Sequence, residues 1–142
     1  MHKIFGTKEN VEYTDRVGVY LIPIRNNQVG VILAPKGYFF LGGGIENGED
    51  HIACLHREAR EESGYTPVIK VKVCSAETYC VHPPIGYFHP IQTYYLGDLA
   101  EKVSTPDEKD IRFVWVELDQ IRGKMCIEMQ NWALEQALTA LQ

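Results

Sequence analysis

A run of three glycines at residues 42–44, followed closely by an amphipathic segment, is the feature that most restricts the fold of this chain. Apolar residues recur at i, i+3 and i+7 from Ile52 onward, which predicts a helix over residues 50–63. Gly64 stands where a helix usually stops. This segment therefore predicts a glycine-rich loop that leads into a helix.

β-rich runs occupy much of the remaining chain. Residues 17–24 and 28–35 are joined by the turn-forming pair Asn26-Asn27, which predicts a hairpin. Further strand-like runs are residues 37–41, 68–74, 77–81, 90–96 and 112–118. A second helix is predicted over residues 125–141, with a broad apolar face of Met129, Trp132, Ala133, Ala137, Ala140 and Leu141. Strands with two helices far apart in sequence predict the α/β class, a sheet packed by helices.

The composition bounds the class of protein. The chain has 142 residues, a formal net charge of −5 and 45% hydrophobic residues, which favours one domain over residues 1–142. Charges interrupt every apolar run, so no membrane span is expected, and the acidic balance argues against non-specific binding to nucleic acid. The N-terminal residues lack a signal-peptide pattern, and the four cysteines form no C-x-x-C pair. We expect a cytoplasmic protein with reduced thiols.

Three glutamates crowd one side of the first predicted helix. Glu58, Glu61 and Glu62 stand at i, i+3 and i+4, so they share one side of the helix next to its apolar stripe. Like charges at this spacing repel each other and need compensation. Arg57 and Arg60 offset part of the charge. A hard divalent cation is the natural additional partner, because carboxylate oxygens at this spacing can share its coordination sphere.

Two simpler interpretations compete with a metal site. Glutamates on a helix usually form a solvated face, and a glycine loop can connect a strand to a helix without binding any ligand. The combination of the two features favours a ligand site, because glycines let backbone groups approach a ligand closely. Glu46 and Glu49 add carboxylates in the connecting turn, and Gly48 permits that turn to be tight.

Residues 43–65 resemble the signature of the Nudix (MutT-like) hydrolase family, G-x5-E-x7-R-E-U-x-E-E-x-G-U, where U is a bulky apolar residue. The seven fixed positions are filled by Gly43, Glu49, Arg57, Glu58, Glu61, Glu62 and Gly64. A chance match at one starting position is on the order of 10⁻⁹ at ordinary residue frequencies. The resemblance implies a Nudix-type α/β/α sandwich, with a mixed sheet between helices.

The resemblance also implies an activity. Nudix enzymes use Mg²⁺, with Mn²⁺ as a substitute, to cleave the diphosphate linkage of a nucleoside diphosphate derivative, such as a nucleoside triphosphate or an oxidised nucleotide. By position, Glu58 and Glu62 would be the principal metal ligands, with the carbonyl of Gly42 as a backbone ligand. Glu61 would bind a metal or accept the proton of the attacking water. Arg57 would orient the glutamates.

Residues outside the signature supply further candidates. Within the acidic segment 105–111, Glu108 is the candidate distal metal ligand or general base, and a solvated turn is the alternative. The candidates for stacking a base or contacting phosphates are Tyr79, His82, Tyr87 and Phe88, and ordinary core or surface filling is their alternative.

Other classes of function remain beside the leading hypothesis. A non-catalytic Nudix-fold sensor would bind a nucleotide without cleaving it, although this chain keeps all the glutamates of the signature. A scaffold reading would use the acidic helix to contact a partner protein. The expected partner is a small-molecule nucleotide, with no nucleic acid and no membrane, and a homodimer is left open.

Overall fold

The computed structural model describes residues 1–106 and 109–142, and this part of the chain contains nine strands and three helices. The strands are β1 (His2–Phe5), β2 (Thr14–Arg25), β3 (Gln28–Ala34), β4 (Gly37–Phe39), β5 (Leu41–Gly44), β6 (Tyr65–Thr78), β7 (Cys80–His82), β8 (Gly86–Lys102) and β9 (Arg112–Glu117). The helices are α1 (His51–Ser63), α2 (Leu118–Ile121) and α3 (Glu128–Ala140).

The strands form a mixed sheet. Its central order is β1-β6-β8-β2-β3-β4, while β5 pairs with β2, β7 with β8 and β9 with β3. β1 runs parallel to β6 and β2 runs parallel to β8, whereas the other pairs are antiparallel. The predicted α/β class with a mixed sheet is confirmed. Within residues 1–106 and 109–142, no helix has the length and apolar character needed to cross a bilayer.

Two hydrophobic cores lie on opposite faces of this sheet. Val19 and Leu21 of β2 belong to the core that contains Leu55 of α1. Ile22, which points the other way on the same strand, belongs to the core that contains Leu134 of α3. Because successive side chains of a strand point to opposite faces, α1 and α3 cover different sides of the sheet. This arrangement is the expected α/β/α sandwich.

The predicted hairpin turn and the predicted ends of α1 are confirmed. Asn26 and Asn27 have positive φ angles of 50° and 63°, as a two-residue hairpin turn requires, and Arg25 pairs with Gln28. The side chain of Asp50 caps α1, and Gly64 ends the helix in the left-handed conformation with φ 79°.

Several predicted boundaries are wrong. The second long helix begins at Glu128 rather than at residue 125, because Ile127 occupies its N-cap and provides no side-chain hydrogen bond that would mark the start. Ala140 and Leu141, which we assigned to the apolar face, are exposed at the end of the helix. Ile52 of α1 is also largely exposed.

The strand boundaries after α1 also differ from the prediction. β6 continues without a break to Thr78, and the chain leaves the strand at Tyr79, so a strand over residues 77–81 is wrong. Three register shifts between β6 and β8 interrupt the simple alternation of side chains, which hides the continuity of both strands in the sequence. β1 and α2 were not predicted, because each is only four residues long.

Candidate functional site

The glycines of β5 bring the backbone against the carboxylates of α1. The N–H of Gly42 donates to Glu62 Oε1 at 2.9 Å. A Cβ on Gly43 would lie 2.6 Å from Glu58 Oε1. Gly42 has a φ of 146°, and a Cβ there would overlap the carbonyl of Val19 in the neighbouring strand. Only glycine therefore allows these two glutamates to approach this strand so closely.

Arg57 is the cation at the centre of the acidic helix edge. Its Nε donates to Glu49 Oε2 at 2.6 Å, and its Nη1 donates to Glu58 Oε1 at 2.7 Å. A longer contact of 3.4 Å joins Nη1 to Glu61 Oε2. Nη2 donates to the carbonyl of Gly44 at 2.9 Å. One guanidinium thus ties the glycine strand, the connecting turn and the helix together.

This ion-pair cluster shifts the pKa values of its members. The hydrogen bond from Arg57 lowers the pKa of Glu49 to about 2, and the backbone N–H of Glu46 contributes in the same direction. Hydrogen bonds to Glu49 and Glu58 raise the pKa of Arg57 above its ordinary value. Both partners therefore stay charged at neutral pH, and the brace between turn and helix is permanent there.

The acidic edge fits a hard divalent cation by the chemistry of its donors. Glu58, Glu61 and Glu62 offer only carboxylate oxygens, which are the ligands that Mg²⁺ and Mn²⁺ prefer. In the described ranges 1–106 and 109–142, no three His, Cys, Asp or Glu side chains converge into a group that could hold an ion as they stand. Glu58 instead accepts a hydrogen bond from Arg57, and Glu62 accepts one from the N–H of Gly42. Their roles as ligands, and that of the Gly42 carbonyl, stay predictions.

A cleft of about 600 Å³ opens beside β2 and β8 and the beginning of α3. It is lined by Arg16, Gly18, Tyr20, Lys36, Phe39, Thr78, Cys80, His82, Phe88, Pro90, Gln92, Cys126, Ile127, Glu128 and Met129. Two of these residues are cations and several are aromatic or aliphatic. The cleft therefore offers both positive charge and apolar surface to a ligand.

The cleft and the acidic edge meet at the paired strands β2 and β5. Tyr20 lines the cleft and pairs with Gly42 across the two strands. Besides burial, the negative charges of Glu62 and Glu58 contribute to the raised pKa of its hydroxyl. Burial raises the pKa of Tyr20 to about 12, so its hydroxyl stays protonated. Arg16 approaches the backbone of Gly44 on the same strand pair. The strand pair therefore carries cleft-lining residues on β2 and the glycines that contact the carboxylates on β5.

The structure separates the four predicted substrate contacts into two pairs. His82 and Phe88 line the cleft. Tyr79 and Tyr87 are not among the described residues that line it. Tyr79 lies between the cleft-lining residues Thr78 and Cys80, and Tyr87 alternates with Phe88 along β8. Instead, their rings lie 5.1 Å and 5.6 Å from that of Tyr13, centroid to centroid. A role in substrate binding stays a prediction for all four residues.

Several polar residues of the cleft were missed in the sequence, among them Arg16, Lys36, Gln92 and the anionic Glu128. Arg16 is exposed at the start of β2, Lys36 lies in the turn between β3 and β4, and Gln92 is buried in β8. The alternation of Arg16 with Gly18 and Tyr20 along β2 was the available signal for the first. Lys36 and Gln92 carried no local signal. Glu108, the predicted distal ligand or base, lies outside the described residues.

Comparison with known proteins agrees with the fold and the acidic helix. A family model described as the NUDIX domain matches residues 14–136. No curated protein sequence matches the chain significantly.

Solved structures share this architecture at low sequence identity. A NUDIX hydrolase from Nitrosomonas europaea superposes with a TM-score of 0.74 at 19% identity, covering 89% of this chain and 90% of its own. A MutT NUDIX hydrolase from Burkholderia pseudomallei gives a TM-score of 0.67 at 23% identity, covering 87% and 98%. A structure titled ADP compounds hydrolase gives 0.63 at 19% identity, covering 91% and 76%.

The mixed sheet between helices, with a glycine strand beside an acidic helix, defines a Nudix-type α/β/α fold. Because the family model spans most of the sequence, the chain belongs to the Nudix hydrolase family.

Proposed function

We propose that this protein is a Mg²⁺-dependent pyrophosphohydrolase that cleaves the diphosphate linkage of a nucleoside diphosphate derivative. The observation that carries the proposal is the junction of the acidic helix edge with the cleft at β2 and β5. Tyr20 lines the cleft and pairs with Gly42, whose N–H donates to Glu62, so the strand pair links the apolar cleft to the carboxylates of α1. A nucleotide needs both environments, because its base is apolar and its phosphates are charged.

The phosphates of the substrate are negatively charged, and so is the protein as a whole, with a formal net charge of −5. Binding therefore needs positive charge placed at the cleft itself. Arg16 and Lys36 line the cleft and provide two cations on the protein side. Glu58 and Glu62, with the Gly42 carbonyl, would hold Mg²⁺ or Mn²⁺ at the other side. A divalent cation bound there supplies charge to the phosphate oxygens and polarises the attacking water.

The three glutamates differ in how firmly they are held, which supports different roles. The side chain of Glu58 is 13% exposed and bonds Arg57 at 2.7 Å, whereas that of Glu61 is 37% exposed and lies 3.4 Å from the same guanidinium. The looser, wetter Glu61 is therefore the better acceptor for the proton of an incoming water. Arg57 acts as a positioning residue, because it fixes the carboxylates without facing the cleft.

The substrate class can be narrowed by analogy. One structural neighbour is titled a MutT NUDIX hydrolase and another an ADP compounds hydrolase. We propose nucleoside triphosphates, including oxidised ones, as the first substrates to test, with ADP-linked compounds as the second group. The substrate is a small molecule in both cases, and we place the enzyme in the cytoplasm.

Glu62→Gln is the decisive variant. It keeps the side chain's size and removes one carboxylate charge, so we expect kcat to fall about 1,000-fold with the melting temperature nearly unchanged. Glu12→Gln, the same substitution at an exposed residue outside the cleft, is the matched control and should keep full activity. Product release from a nucleotide panel is measured with Mg²⁺, with Mn²⁺ and with EDTA. Wild-type turnover in Glu62→Gln would contradict the proposal.

Binding measurements separate an enzyme from a sensor. A cation that binds only the folded state raises its melting temperature, so Mg²⁺ should stabilise the wild type more than Glu62→Gln. Tight nucleotide binding without turnover across the panel would support the non-catalytic sensor instead. The absence of any Mg²⁺-dependent stabilisation, with or without nucleotide, would remove the carboxylates from metal binding.

A further inference from the structure

A chain of neutral hydrogen bonds lies beneath the cleft, on the α3 side of the sheet. Gln92 of β8 lines the cleft and is only 5% exposed. Its Oε1 accepts hydrogen bonds from Tyr94 Oη at 2.6 Å and from Gln130 Nε2 at 3.2 Å. Gln130 and Tyr94 are both fully buried. The nucleotide hydrolysis proposed above makes no use of this network.

The backbone decides which way these amides face. The N–H of Phe40 can only donate, and it donates to Gln130 Oε1 at 3.0 Å. The amide nitrogen of Gln130 must therefore point to Gln92, and only the oxygen of Gln92 can accept from it. The Tyr94 hydroxyl adds a second donor, since burial raises its pKa well above the ordinary value and keeps it protonated. Flipping the Gln92 amide would set its nitrogen against the amide nitrogen of Gln130, which can only donate, whereas the Tyr94 hydroxyl can donate or accept.

The orientation leaves the amide nitrogen of Gln92 for the cleft. Within residues 1–106 and 109–142, Gln92 Nε2 has no hydrogen-bond partner. It is not fully buried, because Ser104 Oγ is the one described polar side-chain atom that is both fully buried and unpartnered. Its remaining exposure is to the cleft that the residue lines. Gln92 therefore presents N–H donors to a ligand, while its acceptor capacity on that side is used up.

We propose that Gln92 selects the nucleobase, favouring bases that present an oxo group over bases that present an amino group at the same position. The proposal rests on the proposed function in that it takes the ligand of the cleft to be a nucleotide. A free glutamine side chain can flip and bond either group, but this one is held as a donor. An amino group facing it would leave two donors opposed and unpaired in a nearly dry position.

The apolar walls of the cleft support a base as the ligand group beside Gln92. Phe39, Phe88, Ile127 and Met129 line it, and flat apolar surfaces of this kind accept an aromatic ring. An unpaired buried polar group costs about 1–3 kcal/mol, which corresponds to a preference of roughly 5- to 150-fold. In this proposal the acidic edge contacts only the phosphates, so it contributes the same binding free energy for every nucleotide. Any preference between bases then comes from Gln92 and the other residues of the cleft.

Pairs of nucleotides that differ chiefly in this one group test the proposal. Inosine and adenosine triphosphates carry an oxo or an amino group on carbon 6, and uridine and cytidine triphosphates differ in the same way on carbon 4. We expect the wild type to bind the oxo member of at least one pair about tenfold more tightly or better, by calorimetry in Mg²⁺, and to show the same ratio in kcat/KM.

Two substitutions move the ratio in different ways. Gln92→Glu keeps the oxygen that accepts from Tyr94 and Gln130 but turns an acceptor to the cleft, so the preference should reverse toward the amino base. Gln130→Met does not change the cleft lining and frees the Gln92 amide to rotate, so the preference should approach one. Gln120→Glu, on the exposed side of α2, is the matched control and should leave both ratio and activity unchanged. Thermal melts establish that each variant is folded.

The outcomes distinguish this proposal from the hydrolytic function. Equal kcat/KM for both members of each pair would overturn base selection and leave hydrolysis intact. Selective binding of the oxo member without turnover, of these nucleotides or of the ADP-linked compounds, would support base selection and overturn hydrolysis. If the wild type binds none of the four nucleotides, or if a folded Gln92→Glu keeps the wild-type ratio, base selection by Gln92 is wrong. The wild-type ratio alone can overturn the proposal, so the test does not depend on a variant folding.

Discussion

α1 and α3 are helices of equal length, 13 residues each, on opposite faces of one sheet, and they contribute opposite kinds of chemistry. α1 presents an edge of carboxylates compensated by one arginine, beside a glycine strand. α3 buries apolar residues together with Gln130, whose amide orients a second amide under the cleft. We therefore propose that charged phosphate chemistry belongs to α1 and that neutral, directional recognition belongs to α3.

The difference follows from what each task requires of its surroundings. A cation site needs oxygens that can exchange partners, so its glutamates remain partly exposed, as Glu61 does. Discrimination between neutral groups needs buried donors and acceptors that cannot turn, because water would otherwise satisfy either choice. Tyr94 and Gln130, which are fully buried, meet that condition.

Among substitutions outside the proposed metal ligands, the largest expected effect comes from removing the charge compensation of α1. Arg57→Met leaves Glu49, Glu58 and Glu61 without their shared cation, so the carboxylates repel and lose their positions. We expect kcat to fall about 100-fold, which is typical of a small displacement of catalytic groups. Arg60→Met, at an exposed position of the same helix, is the control. Steady-state kinetics in Mg²⁺ measure the effect, and equal activity of the two variants would show that Arg57 does not position the glutamates.

The corresponding change in α3 should affect stability rather than chemistry. Leu134 is fully buried in the core under this helix, and Leu134→Ala should lower the free energy of unfolding by about 3 kcal/mol through lost packing. Leu141→Ala, at a residue that is 53% exposed, should change it by less than about 0.5 kcal/mol. Urea unfolding gives both values. If folded Leu134→Ala lost most of its activity, α3 would also contribute to the chemistry, and the proposed difference between the two helices would be wrong.

A smaller effect concerns how α1 begins. Asp50 Oδ1 accepts from the N–H of Ala53 at 2.8 Å and caps the helix. Asp50→Ala should cost about 1 kcal/mol, whereas Asp50→Asn, which keeps an acceptor oxygen, should cost much less. Thermal unfolding of the two variants checks the cap. Equal melting temperatures of the two variants would show that the capping hydrogen bond does not stabilise the helix.

The smallest effect is a dependence on acid. The pKa of Glu49 is lowered from 4.5 to about 2 by its hydrogen bond from Arg57. A lowered folded pKa stabilises the fold above pH 4.5, and this stabilisation disappears as the pH falls from 4.5 toward 2. Glu49→Gln should therefore be less stable at pH 7 and should lose less stability across that acid range. Denaturant unfolding between pH 7 and pH 2 measures both slopes, and parallel curves would contradict the ion pair.

The predictability of the two regions differs as well. α1 was located correctly because its ends are encoded locally, by Asp50 and Gly64, and its carboxylates follow from helical spacing alone. The start of α3 was misplaced by three residues, because Ile127 gives no cap signal and Met125 is held outside the helix by Asn131. Tyr79 and Tyr87 were grouped with His82 and Phe88, because aromatic composition does not reveal which face of an irregular strand each ring occupies.

The sequence by itself determined the fold class, the family and the acidic helix edge, because these depend on local periodicity and on a signature confined to residues 43–65. Only the tertiary structure decided that Arg16 and Lys36 face the same cleft, and that Phe40, Gln130 and Gln92 form one hydrogen-bonded chain. Phe40 and Gln130 are 90 residues apart, and Gln92 and Gln130 are 38 apart. The direction of an amide depends on which donor lies next to it, and contacts at such separations exist only once the sheet and α3 have packed together.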